Sequence, residues 1–317
     1  MPGITGMGTT FELPNFVGEL FELTPSDTPF LSAIGGLTGG EATTSTTFQW
    51  QEYDLRDAAQ NTKVEGATAP EGQSRTRNNV TNVVQIHQET IDISYTKLGA
   101  FGQHSGANIA GTNPVKNELD FQVQAMLKQI ARDVEFSFLQ GAYSSPANNT
   151  TARKTKGILE AISTNVIANA SATALDREMI LGLLQKVWDN GGISESETAT
   201  IIANSYQKRM LTDIFIKQSG YAEASRNVGG VNLQTIETDF GKLNIMLNRY
   251  MPVDTVSVVS LEMCKPRFLE IPGKGHMFME ELAKVGANTR YQLYGEIGLE
   301  YGNEKAHGKI TGLTVGQ

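Results

Sequence analysis

"NPVKNELDFQVQAMLKQIARDVEFSFLQG", residues 113–141, sets the scale of the molecule. Leu119, Val123, Leu127 with Met126, Ile130, Val134 and Phe138 recur at steps of three and four, the spacing of one helix face. Asp120, Gln124, Lys128, Arg132 and Glu135 fall largely off that stripe. Asn113 suits an N-cap, Pro114 the first helical position, and Gly141 a stop. At 1.5 Å per residue, the helix predicted over 113–140 is about 40 Å long. Such a rod is long for a compact globule of 317 residues and suits a flat, extended subunit.

On the N-terminal side, residues 46–95 read as a long β-hairpin. "TTFQWQEYDL" alternates in part, and "NVVQIHQETIDISY" alternates well. Between them, "VEGATAPEGQSRTRNN" offers little to bury and carries Gly66, Pro70 and Gly72 as breakers. A loop of this length inside a compact domain reaches for a partner or stays disordered. Residues 1–45 read as an arm. Pro14, Pro25 and Pro29 bar a long helix, leaving at most an amphipathic turn around Phe16, Leu20 and Phe21. Phe11, Phe16, Phe21, Phe30 and Leu31 are then expected to need a surface outside the arm, on another chain.

On the C-terminal side, residues 160–265 read as an α/β lobe. "TALDREMILGLLQKVWDNGG" is a helix, with Thr173 and Asp176 as its capping signature and a stop at Gly191. "TATIIAN" is a buried strand, "SYQKRMLTDIF" a second helix, and "KLNIMLN" and "DTVSVVSL" further strands, so a mixed sheet with helices on it is expected. Residues 277–317 return to strands. "TRYQLYGEIGLEYG" and "HGKITGLTV" are expected to pair as an antiparallel hairpin turning at "GNEKAHG".

Composition narrows the function. The net charge is −8, which argues against a nucleic-acid reader, since such proteins usually present a basic face. Cys264 is the sole cysteine, so neither an internal disulfide nor a cysteine zinc cluster can form. It follows the apolar run "TVSVVSLEM" and reads as a half-buried small residue. The opening "MPGITGMGTT" has no signal-peptide pattern, and no run approaches a membrane span, so a soluble protein made in a cytoplasm is expected. No nucleophile elbow or Walker loop is present. The four histidines are far apart in sequence. Glu304 and His307 form one Glu-x-x-His, but Gly302 and Gly308 bracket it and no second copy exists, so no metal, cofactor or catalytic site is expected. Glu304, Lys305 and His307 read instead as the charged tip of a hairpin. Arg75 and Arg77 at the loop tip are suited to binding phosphate, but more so to acidic groups on a neighbour or simply to solvating the loop.

The order of arm, hairpin, rod helix, compact lobe and returning strands resembles the major capsid proteins of tailed bacteriophages, the HK97-like fold. "TPSDTPFLSAIGG", "FQWQEYDLRDA" followed by "EGA", "TKGILEAISTN" and "YGNEKAHGKI" are similar to one family of these proteins. The resemblance implies an α+β fold. Residues 1–45 would be an N-terminal arm, 46–95 the extended loop, 96–159 the spine helix with the first part of a peripheral domain, 160–265 the axial domain, and 266–317 the second part of the peripheral domain. It implies a shell subunit assembling into hexamers and pentamers of an icosahedral head, in virions assembled in the host bacterial cytoplasm. Phe16, Phe21, Trp50, Tyr53, Arg75, Arg77, Glu304, Lys305 and His307 would lie at contacts between subunits. The head would enclose double-stranded DNA without reading its sequence. Partners would be copies of the chain, a separate scaffolding protein (the chain shows no charged helical segment before the arm), a portal and decoration proteins, with no membrane. An encapsulin-like compartment shares the fold and is the first alternative. A hydrolase with a site near Glu304 and His307 is the second.

Overall fold

A computed structural model describes residues 24–96, 118–193, 199–217 and 235–316. In chain order the elements are α1 (Pro29–Ala33), β1 (Glu41–Thr43), β2 (Thr47–Tyr53), β3 (Arg77–Val83), β4 (Gln85–Ser94), α2 (Glu118–Gln140), α3 (Ile158–Ala161) and β5 (Val166–Thr173). There follow α4 (Arg177–Asp189), β6 (Ala199–Ala203), α5 (Ser205–Thr212), β7 (Thr235–Thr238), β8 (Gly241–Leu247) and β9 (Val256–Ser260). The last are β10 (Lys265–Leu269), β11 (Met277–Glu281), β12 (Asn288–Glu300) and β13 (Gly308–Leu313).

Two large sheets and the two-stranded hairpin β2–β3 organise these elements. In the first, β12 is the central strand: β4 pairs along one edge, and β10 and β11 share the other, with β1 beside β10. In the second, the order is β5-β13-β9-β6-β8-β7. The rod is confirmed over its described span. Ile130, Val134, Phe138 and Leu139 of α2 are buried against Ile91, Ile93, Leu293, Ile297 and Leu299 of the first sheet. The Asn113 and Pro114 start lies outside the described residues.

The second sheet is covered on both faces, which explains why every residue of β6 and β9 is buried. Successive side chains of a strand point to opposite faces. Ile201 and Val258 accordingly join the core under α4 and α5, with Leu183, Leu184, Val187 and Leu211. Ile202 and Val259 join the core around α2. The two lobes therefore share a hydrophobic interior through one sheet. Asp176, rather than Thr173, caps α4, its carboxylate accepting from Arg177 N; Thr173 ends β5.

Three expectations are corrected. First, β12 and β13 do not form a hairpin. They belong to different sheets, and "GNEKAHG" is the crossover between them. The last strand consequently completes the α/β lobe, parallel to β5 and antiparallel to β9, instead of returning to the sheet of β12. Second, the β3–β4 run is one strand only in sequence. It pairs with β2 as far as Val83, bends at the buried Val84, and continues as β4 against β12. Third, Phe30 and Leu31 are buried in their own subunit, so this part of the arm needs no second chain to cover it. Glu135, placed off the stripe by its spacing, is the reason. Its buried carboxylate accepts from Phe30 N (2.9 Å) and Leu31 N (2.6 Å), fastening the first turn of α1 to the rod. It also accepts from Asn248 Nδ2, which brings in the end of β8.

Candidate subunit interface

The hairpin β2–β3 is in antiparallel register from Thr47 opposite Val83 to Tyr53 opposite Arg77. Its base is locked to the body. Phe48 lies over Gly298 of β12, where any side chain would meet the ring and the Val83 carbonyl below 3.0 Å. Trp50 Nε1 donates to Gly302 O at 2.9 Å, and its ring packs edge-on against Tyr301 at 4.9 Å. Asn82, fully buried, satisfies four backbone groups: its Nδ2 donates to Leu299 O and Lys156 O, while its Oδ1 accepts from Lys156 N and Val83 N. An unpaired buried amide is costly, so these bonds specify one docking geometry for the hairpin.

The tip is the opposite. Residues 53–79 are exposed without exception, and no helix or strand forms over 54–76. Tyr53, Leu55 and Val64 are 65%, 74% and 80% exposed, an apolar display a monomer does not need. Arg77 donates to Gln51 Oε1 across the hairpin. Arg75 is exposed.

The crossover at 301–308 reads quite differently from its sequence. His307 has no exposure. Its Nδ1 accepts from Ser260 N at 3.2 Å, which leaves Nε2 as the donor to Tyr301 O at 2.7 Å. Burial holds its pKa below the usual histidine value, so the ring is neutral. Burial tends to raise the Glu304 pKa, but bonds from Thr164 Oγ1, Ser163 N and Thr164 N outweigh it and hold the carboxyl below its ordinary value. Asn165 stitches the crossover to β5, donating to Lys305 O and His307 O and accepting from Asn190 Nδ2. Gly308 lets the backbone pass against Leu183 and Val187 of α4, where a Cβ would lie within 2.9 Å of both side chains.

These residues sort into three groups. Tyr53, Arg75 and Arg77 lie together on the exposed tip and its root. Trp50, Glu304 and His307 all bond inside the subunit; the reading as a contact tip is corrected for His307, which has no exposure, while Trp50 and Glu304 stay partly exposed. Lys305 Nζ lies 3.8 Å from Asp54 Oδ2 at the root of the loop. Phe16 and Phe21 lie outside the described residues. The Glu-x-x-His spacing offers no chemistry, because both imidazole nitrogens are engaged and Glu304 is held by three donors. Among the described residues, no group of three His, Cys, Asp or Glu side chains could hold a metal ion, and no helix is long and apolar enough to cross a membrane. Cys264 is fully buried rather than half-buried, and burial pushes its thiol pKa up, which makes it inert.

The described chain thus combines a docked hairpin base with an uncovered tip, a rod helix and a doubly covered sheet. The family model of the SU10 major capsid protein matches residues 3–314. This chain belongs to that family. A major capsid protein of Escherichia phage Phieco32 is 24% identical over 351 residues, covering 93% of each chain. Among solved structures, the capsid of cyanophage A-1(L) matches with a TM-score of 0.68 at 11% identity, over 96% of this chain and 98% of that one. The capsid of cyanophage P-SCSP1u matches at 0.61 with 10% identity, over 96% and 93%. The SrpI encapsulin of Synechococcus elongatus PCC 7942 matches at 0.58 with 11% identity, over 98% and 95%. The HK97-like fold is thus common to this capsid protein and to encapsulins, and the family match places the chain on the phage side.

Sequence reasoning missed Asn82, Glu135, Asn165 and Asn248, the buried polar residues that fix the hairpin, arm and crossover. Asn82 had a detectable signal, sitting directly before the apolar pair Val83–Val84. Glu135 lies between Val134 and Phe138 on the rod, where a helical wheel alone leaves its side ambiguous.

Proposed function

We propose that this capsid protein acts purely by assembly, without catalysis, forming hexamers and pentamers of an icosahedral head around double-stranded DNA. The observation that carries this reading is the exposed hairpin tip, residues 53–79, on a base that Asn82, Phe48 and Trp50 hold rigidly. Ordering so long a segment costs conformational entropy that only a neighbouring subunit can offset. The tip then lies over an adjacent subunit, with Tyr53, Leu55 and Val64 supplying the apolar contact and Arg75 and Arg77 meeting acidic groups. The acidic chain, at −8, lets the shell enclose DNA without gripping it. Residues 1–45 act as the arm and the sheet of β12 as the peripheral region. The lobe of α4 and α5 meets its copies around the axes and includes β13. A separate scaffolding protein, a portal and decoration proteins complete the head, which is built in the host cytoplasm.

The test is the mass and shape of the purified protein, by light scattering and negative-stain imaging, with and without a coexpressed scaffold. Rings, shells or tubes of hundreds of subunits are expected. A monomer or dimer under every condition would overturn the reading. Particles filled with protein cargo and free of nucleic acid would move it to the encapsulin alternative.

A further inference from the structure

Phe48, Trp50 and Glu52 alternate along β2 and face the body, whereas Gln49, Gln51 and Tyr53 are exposed. Phe48 lies over Gly298 and Trp50 bonds Gly302 O, so Glu52 comes next over the crossover. One step further along the same row, Asp54 Oδ2 stands 3.8 Å from Lys305 Nζ. Glu52 is thus the last body-facing side chain of β2, at the point where the docked root of the hairpin gives way to the exposed tip. Its Oε1 is buried and has no hydrogen-bond partner among the described residues.

The groups around this oxygen do not compensate it. Burial holds the Glu52 carboxyl above its ordinary value of 4.5, and the charges of Glu304 and Asp54 push the same way, while hydrogen bonding by Trp50 and the charge of Lys305 offset them only in part. Tyr301 also faces Glu52; burial first, and then Glu52 itself, push its hydroxyl up to about 12, so it is neutral. Across the hairpin, Glu52 stands opposite Asn78, which carries no charge. Glu304 on the crossover is shifted the other way, since bonds from Thr164 and Ser163 outweigh its burial and hold it below 4.5. Two carboxylates on one seam therefore differ: Glu304 keeps its charge and its donors, and Glu52 keeps a bare buried oxygen.

We propose that Glu52 is a proton-operated latch on the hairpin: protonated, it lets the stretch beyond Trp50 lie down on the crossover, and ionised, it lifts that stretch while Asn82, Phe48 and Trp50 keep the root in place. A carboxylate oxygen withdrawn from water without a donor is costly, and a neutral carboxyl much less so. Docking therefore takes up a proton. In the lifted hairpin Glu52 is in water and titrates near 4.5; in the docked one it titrates higher. Docking is fully favoured below 4.5 and is lost as pH rises through the docked value. Glu304 keeps its bonds throughout that window, because its own value lies below 4.5. The angle at which the tip is offered to a neighbour then follows pH; that consequence rests on the assembly reading above, and the latch itself does not.

The test follows the dilute, unassembled full-length subunit by pulsed electron spin resonance, with spin labels on Tyr53→Cys and Glu262→Cys. Glu262 is exposed and adjoins Met263, which lies against Gly302 of the crossover. Native Cys264 is buried and takes no label. Distances between the labels are compared from pH 5 to pH 8. With Glu52 present, one narrow distance is expected at pH 5, and a second, longer one is expected to rise several-fold in population by pH 8, with a midpoint above 4.5. Glu52→Gln is expected to keep the narrow distance at both ends of the range; Glu52→Ala serves the same comparison if the glutamine variant does not fold. His87 is common to all these chains, so its own pH dependence cancels. Distances that do not change with pH while Glu52 is present, or the same change surviving without its carboxyl, would overturn the proposal. Shell formation is scored separately on the unlabelled chain, so its failure and that of the latch are distinguishable.

Discussion

Residues 71–77 and residues 300–307 are both short, charged and broken by a glycine, Gly72 and Gly302, and in sequence they read as equivalent tips. In the fold they are opposites. Every residue of 71–77 is exposed, and the cross-strand bond from Arg77 to Gln51 involves neither the body nor the core. In 300–307 the charges are consumed internally. Glu300 pairs with Arg267, Glu304 holds the start of the strand after α3, and His307 bridges Tyr301 and Ser260. A polar residue near a sheet can be bait for another chain or mortar for its own. Which one it is depends on whether backbone donors and acceptors nearby lack partners, and composition does not report that.

The contrast can be broken most forcefully at the mortar. Glu135→Leu leaves three donors, Phe30 N, Leu31 N and Asn248 Nδ2, without an acceptor in the core. A loss of about 3–5 kcal/mol in unfolding free energy is expected by denaturant titration. His307→Leu strands Ser260 N and Tyr301 O and is expected to cost about 2–4 kcal/mol.

His87 sharpens the comparison from the other direction. It is as buried as a core residue, yet its Nε2 has no hydrogen-bond partner among the described residues, and burial lowers its pKa to about 4. The unfolded chain therefore takes up a proton near pH 6.5 that the folded chain refuses. Its contribution is complete above pH 6.5 and erodes as pH falls toward 4, by a total of about 3 kcal/mol. His87→Leu is expected to leave stability at pH 7 within about 1 kcal/mol of wild type and to flatten the pH dependence between 6.5 and 4. A loss at pH 7 as large as that of His307→Leu would place His87 with the mortar. The smallest stability effect belongs to the bait. Arg75→Ala with Arg77→Ala is expected to shift unfolding free energy by less than about 0.5 kcal/mol while weakening assembly, measured by sedimentation of the particles.

Much of the fold was legible in particular residues. The stripe from Leu119 to Phe138 gave the rod, and "TATIIAN", "KLNIMLN" and "DTVSVVSL" gave the strands of a mixed sheet with helices on it, though not that its second face is covered as well. The hairpin followed from alternation on either side of a core-poor loop. The partner of β13 was not legible. "HGKITGLTV" alternates equally well for either sheet, and only the close pass of Gly308 over Leu183 and Val187 commits it to the lobe of α4. The burial of Phe30 and Leu31 was hidden for a related reason. It depends on Glu135, more than one hundred residues away, and a long-range carboxylate clamp leaves no local periodicity. The exposure of Tyr53, Arg75 and Arg77 was legible because nothing in their neighbourhood could bury them. His307 was misread because charge and flanking glycines mark a turn and a close-packed crossover alike.

The most direct measurement excises the tip. Residues 55–75 are replaced by a short glycine-containing turn, and the protein is followed by two readouts, thermal melting of the subunit and electron microscopy of the assembly reaction. The account predicts a melting temperature within a few degrees of wild type, because the base bonds of Asn82, Phe48 and Trp50 are untouched, together with no closed shells. Normal shells from the shortened chain would contradict it.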